Sequence, residues 1–338
     1  MAEDRSLPAA QLSAGLPSGR ASDPFLFILG HVRSGTTIFR AMFDSHPEIA
    51  VPPESYFVVP LLARAAQGPL DFEALTTALE QDPYFADWQL PLDALDALRL
   101  DPRVTTWADA VSGLYAAYAT SRAKPHFVDK TPSHLQAVDL LAQSFPNARF
   151  LHLVRDGRDV SASVLTMEFG AEQFAEAARS WRRRVLLAHQ SGQALGPHRY
   201  HEIHYEQLVA QPEAVLQQAC EFFEIDYAPS MLRYHERADE VLGGLRHTGH
   251  IQGVRRPPTV GVRNWRLDLT PHQIAVFDEV AGSALDALGY ERSGLRRSRR
   301  AQAESLAVEL KIAARRTRRL YLPRVSRKVR SIYRRVRA

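Results

Sequence analysis

The chain has 338 residues, 45% of them hydrophobic and 24% charged, with a formal net charge of +4. That length buries a sizeable core and accommodates one large domain with additions. No apolar run is long enough to cross a bilayer, and the single cysteine, Cys220, excludes an internal disulfide and any cysteine-based metal cluster. The charge is uneven: from Arg296 to Ala338 there are 16 Lys and Arg against Glu304 and Glu309, so this tail carries about +14 and the other 295 residues about −10. The body is acidic and the tail is basic.

Residues 1–23 are polar, with scattered Pro and Gly and no apolar signal core, and read as a disordered lead-in to a cytoplasmic protein. "PFLFILG", ending at Gly30, is a continuous apolar run of the kind found in a buried parallel strand. "TTIFRAMFDSH" follows as a helix burying Ile38, Phe39, Met42 and Phe43. From about Tyr56 to Thr120 the pattern is mostly helical. "HFVDK" is a second strand, with a helix expected from Pro132. "ARFLHLVR" is a third strand and "GRDVSASVLTM" the helix after it. "AEQFAEAARSWRRRVLLAHQ" is a long amphipathic helix, "RYHEIHYEQLV" a fourth strand running into a turn, and "PEAVLQQACEFFEI" another helix. Residues 236–259 read as a long surface loop, and a helix capped by Thr270 closes the body before the tail. In the tail Leu306, Leu310 and Ala313 fall at helical spacing with basic residues following, the pattern of a basic amphipathic helix. Strands alternating with helices over these distances make the fold class α/β: a P-loop-like parallel sheet flanked by helices, with a basic C-terminal helical tail.

The turn after the first strand poses the functional question. In a P-loop two glycines five apart are followed by Lys and then Ser or Thr. Gly30 and Gly35 keep the spacing, but Thr36 and Thr37 follow directly. Backbone N–H groups of Ser34, Gly35, Thr36 and Thr37 at a helix N-terminus still make an anion grip. The lysine that neutralises the terminal phosphates of ATP is missing, and Arg33 supplies a cation elsewhere. "HLVRDGRDVSASV" repeats the arrangement: Arg155 ends a strand and Ser163 lies two turns into the next helix, a pair suited to a second phosphate. Arg158 and Asp159 read instead as a helix-capping network.

With these motifs the chain resembles the sulfotransferases that use 3′-phosphoadenosine-5′-phosphosulfate (PAPS), in the bacterial and tyrosylprotein-type branch. The resemblance spans Pro24 to Tyr290 and implies a sulfotransferase domain over 24–292 with a tail at 293–338. It implies that Arg33 to Thr37 hold the 5′-phosphosulfate and that Arg155 and Ser163 hold the 3′-phosphate. Glu54, in "VPPESYF", stands where that branch carries a catalytic glutamate base, and Lys130, in "DKTPSHL", resembles a lysine that stabilises the transition state. Arg33 occupies the place of the catalytic lysine of cytosolic members. His134 is the rival base, displaced from the cytosolic Lys-Thr-His arrangement by Pro132 and Ser133. Tyr205 resembles the tyrosine of a Tyr-Glu-x-Leu motif near the donor adenosine. Arg255 and Arg256 resemble late-loop phosphate ligands, although their spacing to Trp265 departs from the cytosolic pattern, and Trp265 reads as a packing anchor. No metal is implied. The acceptor is a hydroxyl on a small molecule, saccharide or glycolipid, with tyrosine ranked below these. The tail suggests a membrane surface or another anionic partner, with no specific nucleic acid. Two alternatives stand beside this reading: a P-loop nucleotide kinase or NTPase, which requires ATP and magnesium, and a non-catalytic anion-binding protein acting through its tail.

Overall fold

The computed structural model describes residues 23–91, 93–167, 173–238, 254–257, 264–296 and 298–314. The expected lead-in before Asp23, much of the 236–259 loop and the tail beyond residue 314 lie outside them. The described residues form two compact units, the first from residues up to Arg155 and Arg184–Val262, the second from Asp156–Arg183 and Arg263 onward.

The first unit holds five parallel strands, β1 (Leu26–Gly30), β2 (Ile49–Ala50), β3 (His126–Asp129), β4 (Arg149–Val154) and β5 (Tyr200–His204), in the order β2-β3-β1-β4-β5. The sequence reading supplied four of them; β2 has only two residues, too few to leave a periodicity. Alternation along β1 sends its side chains to two cores. Leu26 and Ile28 pack with Phe39, Met42 and Phe43 of helix α1 (Thr36–Asp44) and with Leu208, Leu216 and Phe223 further along the chain. On the opposite face Phe25 and Phe27 stack at 4.3 Å between ring centroids, and Phe27 stacks on Phe150 at 5.1 Å. Tyr115, Phe127 and Phe145 surround Phe25. Truncating one such ring costs about 3–5 kcal/mol.

Helices α2 (Val58–Ala63), α3 (Phe72–Glu80), α4 (Ala94–Leu100) and α5 (Trp107–Ser121) fill the long segment before β3. At Pro132 a short 3-10 helix forms, and helix α6 begins only at Val138, ending at Ser144. After β5 the chain turns into a short helix, α9 (Tyr205–Ala210), where a turn was expected, and α10 (Pro212–Phe223) follows.

The second unit contains α7 (Gly157–Val164), the Phe174–Arg183 part of α8 (Phe174–Leu195), α11 (Trp265–Asp268), α12 (Pro271–Ala287) and a terminal helix over residues 299–314. Thr270 caps α12 in a reciprocal box with Gln273. Asp156 caps α7 and is bidentate to Arg158. The Arg158 guanidinium lies 3.7 Å from the Trp265 ring centroid and Asp159 accepts the Trp265 N–H, so Trp265 is a packing anchor as expected. Gly157 is obligatory: a Cβ there would lie 2.4 Å from the Trp181 ring. The terminal helix buries Ala301 and Val308, while Leu306, Leu310 and Ala313, the stripe read as the apolar side of a basic amphipathic helix, are exposed. Ala301 and Val308, seven apart, leave a weaker periodic signal than the leucines, so the buried seam did not show in the sequence.

Candidate functional site

In an open parallel sheet, ligands bind outside the carboxyl ends of the strands where the strand order reverses. Here that point is β1, with β3 on one side and β4 on the other. Each strand of the first unit delivers a candidate residue from its carboxyl end: the His31–Thr37 loop from β1, Glu54 four residues beyond β2, Lys130 from β3, Arg155 from β4 and Tyr205 from β5.

The loop after β1 is tightly wound. Arg33 adopts φ 70° and Gly35 φ 91°, the left-handed region, and Ser34 N–H bonds back to the His31 carbonyl at 3.0 Å. For Arg33 this backbone costs on the order of 1–2 kcal/mol. The first ladder bond of α1 runs from Phe39 N–H to Gly35 O, so the N–H groups of Thr36, Thr37 and Ile38 precede the ladder at the positive end of the helix. Ser34 Oγ is buried with no hydrogen-bond partner among the described residues. A buried hydroxyl left in this way next to helix N–H donors suits the oxygens of a bound phosphate or sulfate. His31, inside the loop, donates Nδ1–H to the Val32 carbonyl; burial, with Arg184 and His152 adding to it, pushes the ring down to about 4 and keeps it neutral.

Arg155 and Tyr205 close on the loop from the other side of β1. The Arg155 guanidinium donates to the Arg33 carbonyl at 3.2 Å and lies over the Tyr205 ring at 4.4 Å. Tyr205 in turn packs so closely on Gly35 that a Cβ there would lie 2.4 Å from its ring. Four predicted donor residues, Arg33, Gly35, Arg155 and Tyr205, are thereby brought together. Ser163 belongs to the second unit, where it is buried on α7. Arg255 and Arg256 are exposed, and the Arg256 carbonyl accepts from Tyr234.

Glu54 and Lys130 form an ion pair. Lys130 Nζ donates to Glu54 Oε1 at 2.5 Å, and Tyr56 donates to Glu54 Oε2, also at 2.5 Å. Burial opposes ionisation of Glu54, but the Lys130 charge and the two hydrogen bonds outweigh it, leaving the carboxyl below its usual range. Burial and the Glu54 charge push the Tyr56 phenol far up, so it stays a donor. Lys130, the expected cation, is 4% exposed and turned to Glu54.

Asp129 points inward to a network the sequence reading missed. Its Oδ2 accepts from Ser55 at 2.7 Å, Tyr115 at 2.6 Å and Thr131 at 3.0 Å, and its Oδ1 accepts from His134 Nδ1 at 2.7 Å. Ser55 N–H also bonds Thr131 Oγ1 at 2.9 Å. Burial opposes ionisation of Asp129, and the facing His134 and three hydroxyls hold it below its ordinary value nonetheless. The network ties the residue after Glu54 to the residues on both sides of Lys130. His134, the rival base, is wholly buried with one nitrogen committed to Asp129. From α1, Arg40 adds a second tether, donating to the Val51 carbonyl at 2.7 Å and the Pro52 carbonyl at 3.3 Å. The signals available were the hydroxyls of Ser55 and Thr131 and a buried-type Arg40 in an apolar helix, but their partners lie up to 76 residues away.

A parallel α/β sheet with an anion-suited loop at its switch point and a carboxylate–ammonium pair on the neighbouring strand end is suited to hold an anionic ligand beside an acid–base pair. Comparison with known proteins narrows it. Residues 24–229 match the model of the sulfotransferase family, and the chain belongs to that family, enzymes that move a sulfuryl group from PAPS to an acceptor. Protein-tyrosine sulfotransferase A of Caenorhabditis elegans is 26% identical over 300 residues, 85% of this chain and 73% of that protein. The Drosophila melanogaster protein-tyrosine sulfotransferase is 26% identical over 63% of this chain, a span that is only 40% of the fly protein. Among solved structures, the sulfotransferase domain of the Synechococcus PCC 7002 olefin synthase superposes with a TM-score of 0.52 at 23% identity, covering 81% of this chain and 98% of that domain. That likeness concerns the fold.

Proposed function

We propose that this sulfotransferase takes its sulfuryl group from PAPS at the loop after β1 and that Glu54 is the general base for the acceptor hydroxyl, with the catalytic body spanning residues 24–292. The observation that carries the assignment is the Glu54–Lys130 ion pair, fixed by the Asp129 network one strand away from a loop whose Ser34 hydroxyl is buried and unpartnered. The bound donor would supply an electrophilic sulfur and a phosphate leaving group, by analogy with in-line phosphoryl transfer.

The chain's own residues then divide the work. Ser34, Gly35, Thr36 and Thr37 present the hydroxyl and N–H donors that orient the donor's anionic end, and Arg33 and Arg155 offset its charge. Glu54, ionised well below neutral pH, accepts the proton of the acceptor hydroxyl at a carboxylate oxygen. Lys130, released from a full share in that ion pair as Glu54 becomes neutral, is left to stabilise charge on the transferring group. The plain consequence is that protonation of the base frees the cation at the moment it is needed. His134 has no such access, since it is enclosed and bound to Asp129.

A kinase reading loses its metal ligand in the same geometry. Asp129 occupies the end of β3 where an acid is useful for magnesium, but both its oxygens are engaged by Ser55, Tyr115, Thr131 and His134. The acceptor carries a hydroxyl. The named relatives are protein-tyrosine sulfotransferases, so the tyrosine phenol moves to the head of the acceptors to assay, ahead of saccharide and glycolipid. The basic segment 296–338 is read as engaging an anionic partner.

The test is the melting temperature with 3′,5′-adenosine bisphosphate against ATP plus magnesium, since a ligand specific to the folded state adds about 2.7 kcal/mol at a hundredfold excess over its Kd. Stabilisation by the bisphosphate supports the donor assignment. Stabilisation by ATP and magnesium alone refutes it.

A further inference from the structure

Among the described residues, the terminal helix presents an outward face on which Leu306 and Leu310 are exposed. Both of the tail's acids are engaged by the rest of the unit: Glu309 pairs with Arg179 at 2.8 Å and Arg182 at 3.0 Å, and Glu304 lies 3.0 Å from His272 Nε2. Lys311 is drawn to the same side by Glu176 at 2.7 Å, and Ala301 and Val308 fill the buried seam. What remains outside is Ala303, Leu306, Ala307, Leu310, Ala313 and Ala314, with Leu306 and Leu310 each 61% exposed. Each has another member three or four residues away, so they form one stripe along the helix. At its start stand the exposed Arg296, Arg299 and Arg300 and the half-exposed Leu295, and residues 315–338 add 11 Lys and Arg and no acid.

An exposed apolar stripe alone would fit many partners, but the charge selects among them. The face is cationic, carries no acid, and mixes leucine with arginine. A nucleic acid matches the arginines and leaves the leucines in water. An anionic bilayer matches both, phosphates meeting the arginines and the acyl boundary receiving the leucines. The 16 residues of the helix span about 24 Å at 1.5 Å per residue, shorter than the roughly 30 Å hydrocarbon core. No helix among the described residues is long and apolar enough to cross a membrane. The helix therefore suits lying in the interface.

We propose that the outward face of residues 299–314 binds an anionic lipid surface, with Leu306 and Leu310 entering the headgroup boundary and Arg296, Arg299 and Arg300 meeting lipid phosphates. This deepens the reading of the tail as an anion-binding segment and is independent of the donor assignment.

The experiment is co-sedimentation of the full chain with vesicles of phosphatidylcholine alone, and of phosphatidylcholine mixed with phosphatidylglycerol, across a salt series. Wild type should bind the mixed vesicles, release as salt rises, and bind the neutral ones weakly. Leu306→Gln with Leu310→Gln should weaken binding by about tenfold or more, and Arg296, Arg299 and Arg300→Gln should do the same with a shallower salt dependence. Because all five side chains are exposed, each variant should keep the wild-type melting temperature and its response to adenosine bisphosphate, which separates a failure here from a failure of the donor assignment. Indifference of vesicle binding to the leucine pair, equal binding to neutral vesicles, or no binding would overturn the proposal. Competition by a short DNA duplex that leaves the leucine variants unaffected would also overturn it, in favour of a nucleic-acid partner.

Discussion

Replacing Asp129 by alanine tests whether the buried network holds the Glu54–Lys130 pair, the proposed base and its cation. The carboxylate is 1% exposed and receives three hydroxyls and one imidazole. Breaking a buried, hydrogen-bonded charge cluster from one side costs about 3–5 kcal/mol, and the Ser55, Tyr115 and Thr131 hydroxyls recover part of that by bonding one another. At roughly 2–4 °C per kcal/mol the melting temperature of Asp129→Ala should fall by about 6–20 °C near neutral pH. Asp129→Asn keeps the shape and should fall less. The sign of the pH dependence follows from the lowered ionisation of Asp129 in the folded state. Its contribution is complete above the unfolded value, near pH 3.9, and is lost as pH falls through the folded value, so the gap between wild type and variant should close only in acid. Thermal melts across pH, paired with initial rates well below the melting temperature, give both readouts. A melting temperature within about 2 °C of wild type at neutral pH would refute the reasoning, since that is the size of a surface substitution.

Further outcomes follow from the same geometry. Glu54→Gln should lower turnover by about 10²–10⁴ while leaving the bisphosphate-induced stabilisation intact; unchanged turnover would remove Glu54 as base. Tyr56→Phe removes a donor to the Glu54 carboxylate, so the acidic limb of the kcat/KM profile should move to higher pH; an unmoved limb would show that Tyr56 does not touch the working form of the base. Gly35→Ala places a Cβ 2.4 Å from the Tyr205 ring at φ 91°, and calorimetric titration should show bisphosphate binding lost or severely weakened.

Much of this architecture was legible in the chain before any coordinates. Continuous apolar runs marked four strands; Gly30 ends β1, and Gly35, Glu54, Lys130, Arg155 and Tyr205 all lie beyond strand ends. The two-residue β2 left no pattern, and its pairing to β3 is a tertiary fact. The Asp129 network escaped because Ser55, Tyr115 and His134 are individually unremarkable and meet only when β3 and the loop after β2 come together. The terminal helix was legible in part: periodicity found the leucine stripe of a basic amphipathic helix, while the ion pairs of Glu304 and Glu309, which fix the opposite face inward, are tertiary contacts that spacing does not show. Hydrophobic spacing identifies a face, and charge partners decide which way it turns.

The allocation of residues to strand ends has a consequence for how this enzyme can change. The anion loop, Arg155 and Tyr205 come from β1, β4 and β5, whereas Glu54 and Lys130 come from β2 and β3, and the long helical segment between Tyr56 and Thr120 is inserted only on the latter side. On the proposed assignment, donor recognition lies at the β1, β4 and β5 ends and the base at the β2 and β3 ends of one sheet. On that assignment, exchanging the Tyr56–Thr120 segment for that of another member should change the acceptor used while leaving the bisphosphate-induced stabilisation as it is.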